Sequence, residues 1–175
     1  EYNLGETKRI LEGRPEMMGF GDDLGMQHSL AISPATWRKY LKPCYTAIYG
    51  LCRQAGVWVY MHTDGHILPI IPDLIDCGVN VLNPQIRANG LEGLARECKG
   101  KVCVALDLDR QLFPFVGPAE VDAHVREAVE ALGSPVSFRP IDWSLERREA
   151  SDAALDEGIE ATLALISVST TASIS

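Results

Sequence analysis

The feature that most constrains this chain is an alternation, repeated about five times, of a short apolar strand, a polar exit and a helical segment. That order calls for a mostly parallel sheet with crossover helices. The first strand is expected over Glu16–Gly21, leaving at Asp22-Asp23-Leu24-Gly25. Ser33 and Pro34 then cap and open one long helix reaching Gln54, whose apolar members Trp37, Leu41, Tyr45, Ile48 and Leu51 keep helical spacing up to the stop at Gly56. Val57–Met61 is a continuous apolar run, the pattern of a strand covered on both faces. Leu68–Ile75 reads as helix ending near Gly78, Val79–Leu82 as strand, Gly90–Cys98 as helix and Lys101–Leu106 as strand. Pro118 opens the best-defined helix, with Val121, Val125, Ala128, Val129 and Leu132 on one stripe before Gly133. Val136–Arg139 is expected as a fifth strand and Ala153–Ile166 as a last helix.

At 175 residues, 46% hydrophobic and with a mean hydropathy of zero, the chain fits one globular domain. Five strand-helix units fall short of a closed eight-stranded barrel, which takes about 250 residues. They suffice for an open sheet, so a small doubly wound fold is the structural alternative, though no Gly-rich phosphate loop follows the first strand. A net charge of −8 gives no basic footprint for nucleic acid or an anionic membrane surface. No apolar run approaches the roughly 20 residues needed to cross a bilayer. Cys44, Cys52, Cys77, Cys98 and Cys103 are unevenly spaced with no CxxC pair, the usage of reduced thiols in a cytoplasmic protein.

Polar groups follow four successive strands, as an active site built from barrel loops requires. Asp22 and Asp23 are adjacent carboxylates, and adjacency on an extended segment sends them in opposite directions, one of them toward the mouth. His62, Asp64 and His66 form the densest group; the His-x-Asp alternation puts His62 and Asp64 on one side, as a metal pair or with Asp64 orienting His62. Gly65 between them reads as a position needing a backbone angle other residues resist. Asn83 and Gln85 flank Pro84 at the next exit, with Arg87 beyond as a candidate carboxylate contact. Asp107, Asp109, Arg110 and Gln111 occupy the exit after that, either facing substrate or as a scaffold in which Arg110 neutralises an Asp.

At these residues the sequence resembles the uroporphyrinogen decarboxylase superfamily, which also holds corrinoid-dependent methyltransferases. The resemblance is carried by Gly21–Gln27, Ile32-Ser-Pro34 with the helix through Leu41-Lys-Pro43, His62-Thr-Asp-Gly65, Ile71–Ile75 with Gly78, Val81–Gln85, Asp109-Arg-Gln111 and Phe115. It implies an α/β fold: the C-terminal part of a (β/α)8 TIM barrel, about five βα units with the barrel incomplete. Residues 1–168 would be the partial barrel domain and 169–175 a small, mostly polar tail; the missing strands would be N-terminal. The leading expectation is a carboxy-lyase (decarboxylase) of porphyrin metabolism acting on a carboxylated tetrapyrrole or related small molecule without a cofactor. Asp22 or Asp23 would bind ring N–H groups and His62 and Asp109 would orient the substrate, with Gln27, Asn83, Gln85, Arg87, Arg110 and Gln111 as further contacts.

The first alternative is a methyltransferase moving a methyl group to or from a corrinoid or small thiol, with zinc and a corrinoid protein as partners. There His62 matches the His of a His-x-Cys zinc pair, Asp64 stands where the family has the first Cys, and no Cys lies near Val136–Pro140. A second alternative is an inert half-barrel, which would expose its sheet edge and form a homodimer or aggregate.

Overall fold

The computed structural model describes residues 1–109 and 111–133, and 136–138 as backbone. A helix, α1 (Tyr2–Glu12), precedes strand β1 (Met17–Asp22); α2 (Pro34–Tyr40) and α3 (Lys42–Gln54) lead to β2 (Trp58–Thr63). A 3-10 turn, Leu68–Ile70, runs into α4 (Ile71–Cys77), followed by β3 (Val81–Pro84), α5 (Ile86–Asn89), α6 (Leu91–Cys98) and β4 (Cys103–Leu106). A second 3-10 turn, Phe113–Phe115, then α7 (Pro118–Leu132) and β5 (Val136–Phe138), complete the described elements.

The five strands pair in chain order, every pair parallel. This is the α/β architecture expected of an incomplete (β/α) barrel, because a parallel sheet that never reverses its strand order has no switch point of the doubly wound kind. One face of the sheet carries the helices. Met18, Val59, Met61, Leu82, Val104 and Leu106 are buried there against Trp37, Tyr49, Leu74, Leu94 and Val125. Each such side chain contributes about 1.5–3 kcal/mol by leaving water.

The opposite, inner face is only partly filled. The expectation that Val57–Met61 is covered on both faces is corrected: Val59 and Met61 are fully buried, while Trp58 keeps 55% of its surface exposed. Strands that would enclose the inner side in a complete barrel are not among the described residues, so the apolar run reflects a half-enclosed strand. β1 presents Gly19 and Gly21 to this side, and nothing lies within 4 Å of where a Cβ on either would sit.

The single helix expected over 34–54 is two. Ser33 caps the first by accepting from the Thr36 N–H at 3.1 Å, as its hydroxyl suggested. The break falls at Leu41, and Pro43, lacking an N–H, cannot extend the α2 ladder. The buried stripe of α3 is Tyr45, Tyr49 and Cys52, with Leu51 only half-buried. α1 and the short α5 were not expected. The third strand begins two residues later than read, at Val81, and the fourth at Cys103. Gly78 ends α4 in a left-handed conformation (φ +115°), and α7 buries Val121, Val125, Ala128 and Leu132 as its stripe predicted. Arg139, the helix expected over Ala153–Ile166 and the 169–175 tail lie outside the described residues. All five cysteines are free thiols. Among the described residues no helix is long and apolar enough to cross a membrane.

Asp73 ties α4 to the α2–α3 pair. Its carboxylate accepts from Arg38 Nε at 2.8 Å and Lys42 Nζ at 2.7 Å, and its side chain is only 12% exposed. Burial works to raise its pKa, but the bonds from Lys42 and Arg38 outweigh it and hold the carboxyl below its ordinary value. This part of the stability is therefore complete above the ordinary carboxylate value of about 4 and fades as pH falls through the lowered native value. Asp73→Asn is expected to cost about 1–2 kcal/mol at neutral pH, discounted for the exposure of both cations. Urea melts should show the gap between variant and wild type closing in acid; a gap equal at pH 7 and pH 2 would contradict the assignment.

Candidate functional site

Because all five strands are parallel, their C-terminal ends lie on one side of the sheet, and the register aligns the polar exits. Gly21 pairs with His62 and His62 with Asn83, one rung below the bridge between Gln85 and Asp107. Strand alternation turns all of these toward the inner face. His62 Nδ1 lies 2.6 Å from Asn83 Oδ1, and Asn83 Nδ2 donates to the Ala105 carbonyl and, at 3.1 Å, to Asp107 Oδ1. One rung up, Gln85 Nε2 donates to Asp64 Oδ1, which also lies 3.5 Å from His62 Nε2. Five side chains from three strand ends thus form one connected network.

The loops above the strands are fixed by backbone contact. The Gly25 N–H bonds the Asp64 carbonyl at 3.1 Å and the His66 N–H bonds the Met26 carbonyl at 2.8 Å, which presses the exits of β1 and β2 together. Gly65 takes φ +75°, the unusual angle anticipated for it, and donates its N–H to Gln85 Oε1 at 3.0 Å. Buried Asn89 joins the next pair of loops, donating to the Gly65 and Gln85 carbonyls and accepting from the Ile67 N–H. Thr63, fully buried, accepts from the Leu24 N–H at 3.2 Å.

A cleft of about 320 Å³ opens at these strand ends, with Gln27, Asp64, Gln85, Arg87, Asp109 and Gln111 among its lining residues. Five of them come from three different predicted clusters, and Gln27 from the stretch that follows the first strand. Asp107 lines it too, and Met26, Ile86 and Leu108 add apolar wall. His62 and Asn83 sit beside the cleft, not in its lining. Arg87 Nε is bound to Asp109 Oδ2 at 2.9 Å, and the Gln111 N–H to Asp109 Oδ1 at 3.2 Å, so Asp109 acts on its own loop as well as facing the cleft. Arg110 lies outside the described residues.

Of the two adjacent aspartates, Asp22 ends β1 and Asp23 lies just beyond it. Asp22 follows Met18 and Phe20 onto the helix side, where its carboxylate accepts from the buried Tyr45 hydroxyl at 2.5 Å. Burial, then this bond, push the Tyr45 phenol well above its ordinary range, so it remains a donor. Asp22 is therefore held away from His62 and Asp109, although all three stand at the same end of the sheet. Asp23 is exposed. His66 is engaged in the loop frame, its Nδ1 2.9 Å from the Ala88 carbonyl.

Tyr45, Thr63 and Asn89 were missed by sequence reasoning. Tyr45 carried a signal, since it was placed on the buried stripe and the period of β1 sends Asp22 the same way. Asn89, a lone amide before Gly90, carried none.

Among the described residues no three His, Cys, Asp or Glu side chains come together as a metal site. His62 and Asp64 supply two donors, and a zinc site generally needs three or four. The described residues alone do not fit a closed zinc centre.

No family model matches the chain, and no curated protein does. Among solved structures the fold is similar to that of a methyltransferase from Methanosarcina mazei, with a TM-score of 0.68 and 14% identity; the match covers 94% of this chain and 46% of that one. The chain thus spans about half the length of the protein it resembles. At this identity the likeness shows the fold, and the fold is one that an enzyme uses. The match nevertheless corrects the leading functional expectation, a carboxy-lyase, because a solved structure sharing this fold is that of a methyltransferase.

Proposed function

We propose that this chain forms the strand-end half of a methyltransferase site, one that moves a methyl group to or from a corrinoid or a small thiol. The observation that carries the reading is the network Asp107–Asn83–His62–Asp64–Gln85 standing beside a cleft at the same end of the sheet, on a fold shared with a methyltransferase. Functional groups at the C-terminal ends of parallel strands are where this architecture does its chemistry. The cleft is near the small end of ligand pockets, about 300–1,000 Å³, which suits a thiol of a few heavy atoms.

A corrinoid, when bound, supplies a methyl-cobalt bond that a thiolate can attack. The chain's own residues have simpler tasks. Gln27 and Gln111 offer neutral hydrogen bonds that orient a polar acceptor, while Met26 and Leu108 give its carbon skeleton an apolar wall. His62 takes the proton that a thiol must lose, and Asp64 beside it stabilises the resulting imidazolium.

The test is incubation of the purified chain with methylcobalamin and 2-mercaptoethanol, following the methyl thioether by mass spectrometry and methylcobalamin by absorbance. Thioether formed in proportion to protein is expected. No thioether at any protein concentration, with neither compound bound in calorimetry, would refute the proposal and leave an inert half-barrel.

Asn89→Ala removes three bonds to buried backbone groups and is expected to cost about 2–3 kcal/mol. Faster amide exchange at Ile67 should accompany the loss; an unchanged rate would show that Asn89 does not hold the loops.

A further inference from the structure

We infer that Asn83 and Asp107 are positioning residues that lock His62 in one tautomer, with the proton on Nδ1 and the Nε2 lone pair presented at the mouth as the proton acceptor. The Asn83 side chain is fully buried. An amide can sit two ways round, and here its neighbours choose. Nδ2 meets the Ala105 carbonyl and Asp107 Oδ1, groups that accept and cannot donate when the carboxylate is ionised. The reversed amide would set Oδ1 against two oxygens in a buried place, leaving acceptors unsatisfied at a cost of about 1–3 kcal/mol each. Oδ1 therefore faces His62 Nδ1, at 2.6 Å.

A carbonyl oxygen accepts, so Nδ1 must carry the hydrogen. A neutral imidazole has one N–H, which leaves Nε2 bare. That nitrogen lies 3.5 Å from Asp64 Oδ1, a longer contact than the 2.6 Å hydrogen bond at Nδ1, so the one hydrogen sits on Nδ1, and Asp64 lines the cleft. The chain Asp107–Asn83–His62 thus runs from one strand end to another and finishes at a lone pair beside the cleft.

The identity of the proton received rests on the proposed methyl transfer; the tautomer does not. In that reaction the S–H bond of the acceptor breaks, its electron pair stays on sulfur, and the proton forms an N–H bond at Nε2. The charge is conserved: a neutral pair becomes thiolate and imidazolium, the latter facing Asp64.

Long-range ¹⁵N–¹H spectra of the labelled chain, recorded about two pH units above the ordinary histidine value of about 6.5, read the tautomer with no methyl donor or acceptor present. His62→Gln assigns the signals among the four histidines. In the wild type, Nδ1 is expected as the protonated nitrogen and Nε2 as the bare one. In Asn83→Leu the Nε2–H form should become the major tautomer. A wild-type His62 protonated at Nε2 overturns the inference outright, and an unchanged tautomer in a folded Asn83→Leu removes Asn83 from its role. If Asn83→Leu does not fold, Asp107→Ala decides the cause: a tautomer shifted toward Nε2–H supports the relay, and an unshifted one breaks it. Failure of methyl transfer leaves these spectra as they are, so the two proposals fail separately.

Discussion

Gly65→Ala is expected to unfold the strand-end site, at a cost of about 3 kcal/mol or more. Two effects add. The φ of +75° at this position is strained for alanine, by about 1–3 kcal/mol. The added methyl would also meet the Gly25 backbone, with its carbonyl carbon and oxygen only 2.2 Å away. Backbone cannot rotate aside as a side chain does, so the two loops must part. Overpacking of this kind costs about 1–3 kcal/mol in its own right. Parting the loops breaks the bonds from Gly25 to the Asp64 carbonyl and from His66 to the Met26 carbonyl, and displaces Asp64 from Gln85. For a domain of this size the melting temperature should fall by about 6–12 °C. Thermal denaturation followed by circular dichroism measures it, and a shift of under about 2 °C would mean that the loops are not pressed together as described. Gly25→Ala should behave alike, since its Cβ would stand 2.4 Å from the His66 nitrogen.

His62→Gln is expected to remove most methyl transfer while leaving the fold intact. The glutamine amide can still donate to Asn83 Oδ1, so the buried amide keeps its partner and the network its order. What it cannot do is accept and hold a proton at the position of Nε2. General acid-base groups contribute about 10²–10⁴-fold, and a fall of that size in kcat/KM for the thiol is the expected reading. Supplying the acceptor already ionised, at a pH above its thiol pKa, should restore much of the loss. A variant as active as the wild type at neutral pH would remove His62 from proton transfer, and a loss that alkaline pH does not relieve would mean a different role for the ring.

The parallel α/β architecture was legible because hydrophobic runs and helix stripes repeat locally. Met61, Leu82 and Leu106 each sit in such a run, and each is fully buried against the helices. Turn chemistry was equally readable where the backbone demands glycine, as at Gly65 and Gly78. What the sequence concealed was register. Nothing local tells that Gln85 stands opposite Asp107, or that Asn83 reaches both Asp107 and His62, because those bonds span about twenty residues and depend on how far each strand slides along its neighbour. The side taken by Asp22 was left open for a related reason. Its adjacency to Asp23 was weighed, but its place two residues beyond Phe20 fixes its side, and Phe20 packs on Tyr49 of α3. The helix at Tyr2–Glu12 escaped notice because it buries only Thr7 and so writes no stripe.

The bare backbone of β1 beside His62 has a practical consequence. Since Gly21 shares a rung with His62 and a Cβ there meets nothing, side chains of graded bulk installed at that one place would act as a ruler. Stepping from alanine through valine to phenylalanine narrows the entrance by known increments, and the increment at which a given ligand is shut out reports its breadth as it passes the histidine.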